Sequence, residues 1–412
     1  MQPQSRALSG GIPSEYLQRK IMWIKRVDIE GVGGIEALTL SLDPKMNIIC
    51  GPNGIGKTTV LEAVAHSLSA GETNILKRNA KSESSKITTI VNVAGEDREC
   101  NVQFAEFVPS KKAHINGLND LSYSLIALKI NRTFSYQPLD NVSKDTEKPR
   151  HVPWNEARDG INLNDVKNWF VNRYLYSPHG TLSESQIANY ELAKKSFSAL
   201  NEDFTFSRVD ASTNEILINT PSGEIYYEYL SSGFKSCLSI IFGIIKEVEF
   251  RFVDPRIKAE TFDGIILIDE VELHLHPEWQ SVIANVLTRT FPEAQFICTT
   301  HSPHIIQSAE PNQIIAIESN NGKASQRQLP NSTHGFKGWT VEEVLIDVMG
   351  MSDLRTQLFN VSMQEFEQAV EDENYIKAES AFEKLESMLH PHNHMKKMLR
   401  FQLASIRGAS HD

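Results

Sequence analysis

The chain has 412 residues, 40% of them apolar, and a formal net charge of −11. Such a length carries one large core with smaller lobes, and the acidic balance excludes a general polyanion binder, so any nucleic-acid contact must be a local basic patch. No apolar run reaches the roughly 20 residues that span a bilayer, and Cys50, Cys100, Cys237 and Cys298 form no C-x-x-C pair, which predicts buried free thiols in a reducing, cytoplasmic setting without membrane attachment.

Residues 1–21 are polar, contain Gly and Pro, lack the apolar centre of a signal peptide, and read as a flexible tail. Ordered structure is expected from Met22. The stretch MWIKRVDIEGVGGIEALTLSLDPKMNIICG predicts two antiparallel strands and a third strand; a helix over 58–68 completes a first lobe, 22–69. Residues 70–220 read as an insertion. KITTIVNV, CNVQFAEFV and SLIALKINRTFSY are its strands, 139–153 a loop, DVKNWFVNRYLYS and SESQIANYELAKKSFSALNED its helices, the second starting at Ser183. FTFSRVDASTNEILINTPSGEIYYEYL predicts strands joined by turns. A second lobe, 221–332, holds an amphipathic helix (SSGFKSCLSIIFGIIKEVEF), the buried strand GIILIDE, a helix with Pro277 in its first turn, and the strands AQFICTTHSP and NQIIAIES. Residues 333–412 read as an acidic helical region. Strands that feed helices at the chemistry-bearing segments predict an α/β fold.

Four segments carry chemistry. The first, GPNGIGKTT, lies between an apolar strand and an apolar helix with the spacing G-x-x-x-x-G-K-T. Its glycines allow backbone N–H groups to turn inward around phosphates, and the helix start adds its positive end. Asn53, Gly54, Ile55, Gly56, Lys57, Thr58 and Thr59 are the predicted nucleotide-holding residues, with Lys57 on the outer phosphates and the Thr58 hydroxyl on Mg²⁺. The second, IILIDE, runs an apolar strand into Asp269 and Glu270. A carboxylate at a buried strand end needs a partner; Asp269 is predicted to share Mg²⁺ with Thr58, and Glu270 to polarise the attacking water. The third, FICTTHSP, ends a strand in Thr299, Thr300, His301 and Ser302, with His301 predicted at the γ-phosphate. The fourth, YLSSGFKS, opens a helix with small residues and free N–H groups, a second anion site. One chain has one P-loop, so Ser231 and Gly233 are expected to touch the γ-phosphate held by a second copy.

With these four segments in this order the chain resembles the ABC-type ATPases, in the soluble branch with the Rad50, RecF and SMC proteins. GPNGIGKTT is similar to that branch's Walker A, LSSGFKS to its signature, IILIDE to its Walker B and TTHSP to its switch histidine. The signature departs from LSGGQ at Ser232 and Phe234. The resemblance implies a P-loop ABC-ATPase head with an antiparallel strand lobe, a helical and strand insertion and a C-terminal helical extension, working as an ATP- and Mg²⁺-dependent homodimer or higher homo-oligomer. ALKINRTFSYQPL resembles the segment with the Q-loop, whose Mg²⁺-sensing residue is Gln137 or, as a competitor, Gln103. IDEVELHLHPEWQ, FPEAQFICTTHSPHII and WTVEEVLIDVMGM resemble the PtuA-type ATPases of Septu and some retron anti-phage systems. That resemblance implies a partner HNH nuclease, PtuB-like, and in a retron a reverse transcriptase with its RNA/DNA product. The alternative is a DNA-repair ATPase of the RecF or Rad50 kind that binds DNA directly.

Other signals have plainer readings. His274, His276, His301 and His304 with Glu272 have spacings open to zinc, but the first pair falls where the resemblance places a D-loop at the dimer interface. Lys77, Arg78, Lys81 and Lys86 are interleaved with Glu83 and polar residues, as in a solvated loop. Trp154, Trp169 and Phe170 fit helix packing. The region after the last strand has only scattered acids and no H-N-H arrangement, so no nuclease activity is expected of this chain alone.

Overall fold

The structure, a computed structural model, describes residues 22–132, 138–145, 147–149, 151–320, 323–330, 334–351 and 355–409; the expected tail, 1–21, lies outside it. The chain divides into two compact units, a larger one ending at Gly350 and a smaller one from Met351.

The strands of the larger unit are β1 (Met22–Val32), β2 (Ile35–Ser41), β3 (Met46–Cys50), β4 (Ala70–Thr73), β5 (Ser85–Val93), β6 (Glu96–Phe104), β7 (Ala113–Asn116), β8 (Leu125–Leu128), β9 (Thr205–Val209), β10 (Ile216–Thr220), β11 (Gly223–Tyr226), β12 (Ile265–Ile268), β13 (Gln295–Thr299), β14 (Ile314–Asn320) and β15 (Lys323–Gln326). Its helices are α1 (Lys57–Ser67), α2 (Val152–Asp159), α3 (Val166–Tyr176), α4 (Glu184–Leu200), α5 (Ser232–Arg251), α6 (Pro277–Thr290), α7 (Pro303–Ser308) and the short α8 (Val341–Glu343), which continues into a π-helical turn.

The core sheet has the order β15-β14-β3-β13-β12-β8. β14, β3, β13, β12 and β8 pair in parallel, and β15 closes the edge as an antiparallel hairpin partner of β14. The apolar runs MNIIC, IILI and LIAL are buried along their whole length, as parallel strands covered on both faces must be. Side chains alternate between two cores with the strand period of two. Ile48, Ile266 and Phe296 face the core built with α3 to α6, while Ile49, Leu267 and Ile297 face α1 and the antiparallel sheet β2-β1-β5-β6.

Three features depart from the sequence reading. First, 70–220 is not a contiguous insertion: β5 and β6 extend the first antiparallel sheet, and β8 is an edge strand of the core sheet. Second, α2 begins inside the expected 139–153 loop. Third, α5 is buried nearly all round rather than amphipathic. Its charged residues turn inward because they are paired: Glu249 accepts from Arg173 at 2.6 Å, Glu247 from Lys148 at 2.6 Å, and Arg251 donates to Glu156 at 2.7 Å. Paired and hydrogen-bonded, these charges tolerate burial that a lone one would not. Elsewhere local chemistry matches local structure. Ser183 and Gln186 form a reciprocal capping box on α4, and Pro277 sits at the start of α6.

Residues 334–350 belong to the larger unit; Phe336 is fully buried and meets Trp339 edge-on at 4.9 Å. The smaller unit holds α9 (Gln357–Glu371), α10 (Tyr375–Met388) and α11 (Met395–Ala409) around Phe359, Phe366, Phe382, Leu385, Leu399 and Ile406. Ile376 lies outside that core and is 79% exposed.

Candidate functional site

The loop from Gly51 to Gly56 joins the end of β3 to α1. Gly51, Gly54 and Gly56 all have positive φ. At Gly51 a Cβ would lie 2.2 Å from the Ile317 carbonyl oxygen, so both the backbone angle and the space demand glycine. Lys57 is 5% exposed, and its Nζ donates to the carbonyls of Gly51 and Pro52 at 2.8 and 2.9 Å, bracing the loop from inside. Burial holds its pKa below the ordinary value, against the pull of Glu272, Glu270 and Asp269. Thr58 and Thr59 also line a pocket of about 190 Å³ bounded by Val32, Glu62, Leu76 and Lys77.

The ends of β12 and β13 meet this loop. Asp269 is buried, and its Oδ1 accepts from Thr299 Oγ1 at 2.6 Å and from Thr58 Oγ1 at 3.2 Å. Glu270 follows with φ 47°, a left-handed conformation for a residue with a side chain. Its N–H donates to Thr299 Oγ1 at 2.7 Å, and its carbonyl accepts from Arg132 Nη2 at 2.6 Å. Glu272 accepts from Thr300 Oγ1 at 2.8 Å and from the His301 N–H, which ties the two strand-end loops together. His301 is solvent-exposed, yet the protein packed around its base and the charge of Lys57 hold its imidazole below the usual pKa.

The signature segment lies at a different place on the fold. Ser231 caps α5, accepting from the Phe234 N–H at 3.3 Å, and is exposed. Gly233 is buried against the loop before α6: a Cβ there would come within 2.9 Å of Trp279 and 3.2 Å of the His276 nitrogen. Phe234 packs edge-on against Trp279 at 5.1 Å, and Ser236 Oγ donates to the Leu273 carbonyl. Among the described residues no hydrogen bond joins Ser231 or Gly233 to residues 51–59.

A family profile described as "AAA domain, putative AbiEii toxin, Type IV TA system" matches residues 46–307, from β3 into α7. The Septu protein PtuA of Bacillus thuringiensis is 42% identical over 390 residues, covering 93% of this chain and 98% of that one. The chain belongs to the PtuA family of ATPases. The "Retron Vc95 probable ATPase" of Vibrio cholerae serotype O1 biovar El Tor is 27% identical over 356 residues, 66% of this chain and 69% of that one. The SMC head domain from Thermotoga maritima superposes with a TM-score of 0.42 at 15% identity, over 75% of this chain and 99% of that one.

In this PtuA-family ATPase, Lys57, Thr58, Asp269, Glu270 and His301 converge on one region, to which no hydrogen bond among the described residues joins Ser231 or Gly233. Thr58 Oγ1 and Asp269 Oδ1 form an oxygen pair suited to a small hard cation such as Mg²⁺, which takes one or two protein oxygens and completes its shell with phosphate and water. No group of three His, Cys, Asp or Glu able to hold a metal occurs among the described residues. Gln137 lies outside the described residues; Gln103 is on the exposed face of β6, opposite Lys86. No helix among the described residues is long and apolar enough to cross a membrane. Sequence reading missed Arg132 and the bridging role of the Thr299 hydroxyl. Arg132 joins Glu270 across 138 residues of chain, and nothing in the local pattern LKINRT marks such a contact.

Proposed function

We propose that this PtuA-family ATPase binds Mg·ATP on its P-loop, closes as a homodimer around two nucleotides, and through its nucleotide state regulates a separate HNH nuclease in anti-phage defence. The observation that carries the reading is the contact of Thr58 with Asp269 at 3.2 Å, which joins the P-loop helix to the Asp-Glu strand end. Residues 53–59 cradle the phosphates, and Lys57 turns from the loop carbonyls to the outer phosphates. Thr58 and Asp269 would hold Mg²⁺, which would supply positive charge against the phosphates. Glu270 orients the attacking water and takes its proton. His301 donates a hydrogen bond to the γ-phosphate. The pocket beside Thr59 takes the nucleoside end.

The exposure of Ser231, with no hydrogen bond among the described residues to the P-loop of its own chain, supports a site completed by a second copy. The loop over 270–276 packs on Gly233, so closure around one nucleotide is felt at the signature of the same chain. Identity to the Septu protein along almost the whole of both chains supports the defence setting and, with it, a partner nuclease. In a retron setting the partners include a reverse transcriptase and its RNA/DNA product.

Mixing two inactive variants tests the shared site. Ser231→Arg keeps an intact P-loop, and Lys57→Ala keeps an intact signature. Each alone is expected to be inactive, and their mixture to regain part of the ATPase activity, because a mixed dimer has one site with both parts intact. An inactive mixture in which mixed dimers are shown to form would overturn the arrangement.

A further inference from the structure

Arg132 belongs to none of the four motifs. It follows β8 by four residues and is 3% exposed. Among the described residues its side chain makes one hydrogen bond, from Nη2 to the Glu270 carbonyl at 2.6 Å. Nε and Nη1 are buried with no partner among the described residues. Leaving donors of a buried cation idle is costly, so a structural ion pair is a poor account of this side chain. Its position has a different logic. Glu270 stands in a left-handed conformation that is unfavourable for a non-glycine residue. The turn is gripped from both sides: Thr299 Oγ1 accepts from the N–H before it, and Arg132 donates to the carbonyl after it. Burial holds the guanidinium below its ordinary pKa, against the charges of Asp269, Glu272 and Glu270.

We infer that Arg132 is a positioning residue for ATP hydrolysis, one that fixes the left-handed turn at Glu270 and thereby the aim of its carboxylate. The inference rests on the reading of Glu270 as the base. Arg132 acts through Glu270, so its loss lowers turnover and leaves nucleotide binding intact.

Steady-state kinetics of Arg132→Met, Arg132→Lys, Glu270→Gln and the double variant Arg132→Met/Glu270→Gln test it, with the affinity for a non-hydrolysable ATP analogue measured alongside. For Arg132→Met, kcat is expected to fall ~10- to 100-fold, as small misplacements of a reacting group do. KM and analogue affinity should stay within about threefold of native, the signature of an interaction made only on the way to the transition state. Lys retains the charge and a donating nitrogen without the guanidinium's planar fork, so its kcat should fall between Met and native. Adding Arg132→Met to Glu270→Gln should cost little more, because residues acting as a unit are not additive. A native kcat in Arg132→Met, a raised KM with kcat unchanged, or a full multiplicative loss in the double variant would each overturn the inference. Should the Met variant fail to fold, a Lys variant with native melting temperature decides by the same split: reduced kcat at native KM supports the role, and native kcat ends it. Glu270→Gln separates the two layers. If it is inactive while Arg132→Met is fully active, only the role of Arg132 fails; if it turns over at the native rate, the reading of Glu270 fails first.

Discussion

Glu270→Gln will bind Mg·ATP as the native chain does and hydrolyse it about 10²- to 10⁴-fold more slowly, the range that a positioned general base contributes. The substitution keeps the shape of the side chain and removes its ability to take a proton. The backbone contacts of Glu270 with Thr299 and Arg132 run through N–H and C=O, so the turn survives the change. Asp269, Thr58 and the P-loop are untouched, so affinity should hold. Phosphate release under single-turnover conditions, with bound nucleotide counted separately, checks both halves. Turnover at the native rate would remove Glu270 from the chemistry.

Lys57→Ala will fail at the earlier step. Lys57 donates to the Gly51 and Pro52 carbonyls, and the same ammonium turns to the outer phosphates in the proposed complex. Its loss takes away both a brace of the loop and a charge-assisted bond, which by typical values costs about 1.5–3 kcal/mol for the bond alone, or roughly 10- to 100-fold in affinity. Calorimetric titration with Mg·ATP should show that loss, and an unchanged affinity would contradict the assignment. Glu270→Gln and Lys57→Ala thus divide the mechanism between turnover and binding.

The parts of the site that were legible in the sequence are those whose chemistry is local. The glycine spacing of 51–56 is readable because only glycine fits where φ is positive and Ile317 presses on the backbone. Asp269 and Glu270 are readable because a charged pair directly after IILI has no other inexpensive explanation. Contacts made across the fold left no such trace. Arg132 and Glu270 meet only because β8 and β12 are neighbours in the sheet, and β8 is a four-residue apolar run with no period to fix its place. The same holds for α5. Its Lys, Glu and Arg residues suggest a solvated face until Lys148, Glu156 and Arg173 arrive from elsewhere in the chain to pair with them. The C-terminal helices were legible as helices, but which of their apolar residues meet was not: Phe382 and Leu385 fill a core that leaves Ile376 exposed.

The central claim is that two copies share each nucleotide, the P-loop of one facing the signature of the other. All four native cysteines are buried, so a surface cysteine can be addressed alone. Asn53 and Ser231 are both exposed. In a Glu270→Gln background, one population carries Asn53→Cys and the other Ser231→Cys; the two are mixed and treated with a short bifunctional thiol reagent. A cross-linked species of twice the chain mass that forms in the mixture, requires Mg·ATP, and is absent from either population alone is the predicted result. A mixture that gives no nucleotide-dependent cross-link, while both variants bind ATP, would contradict the account.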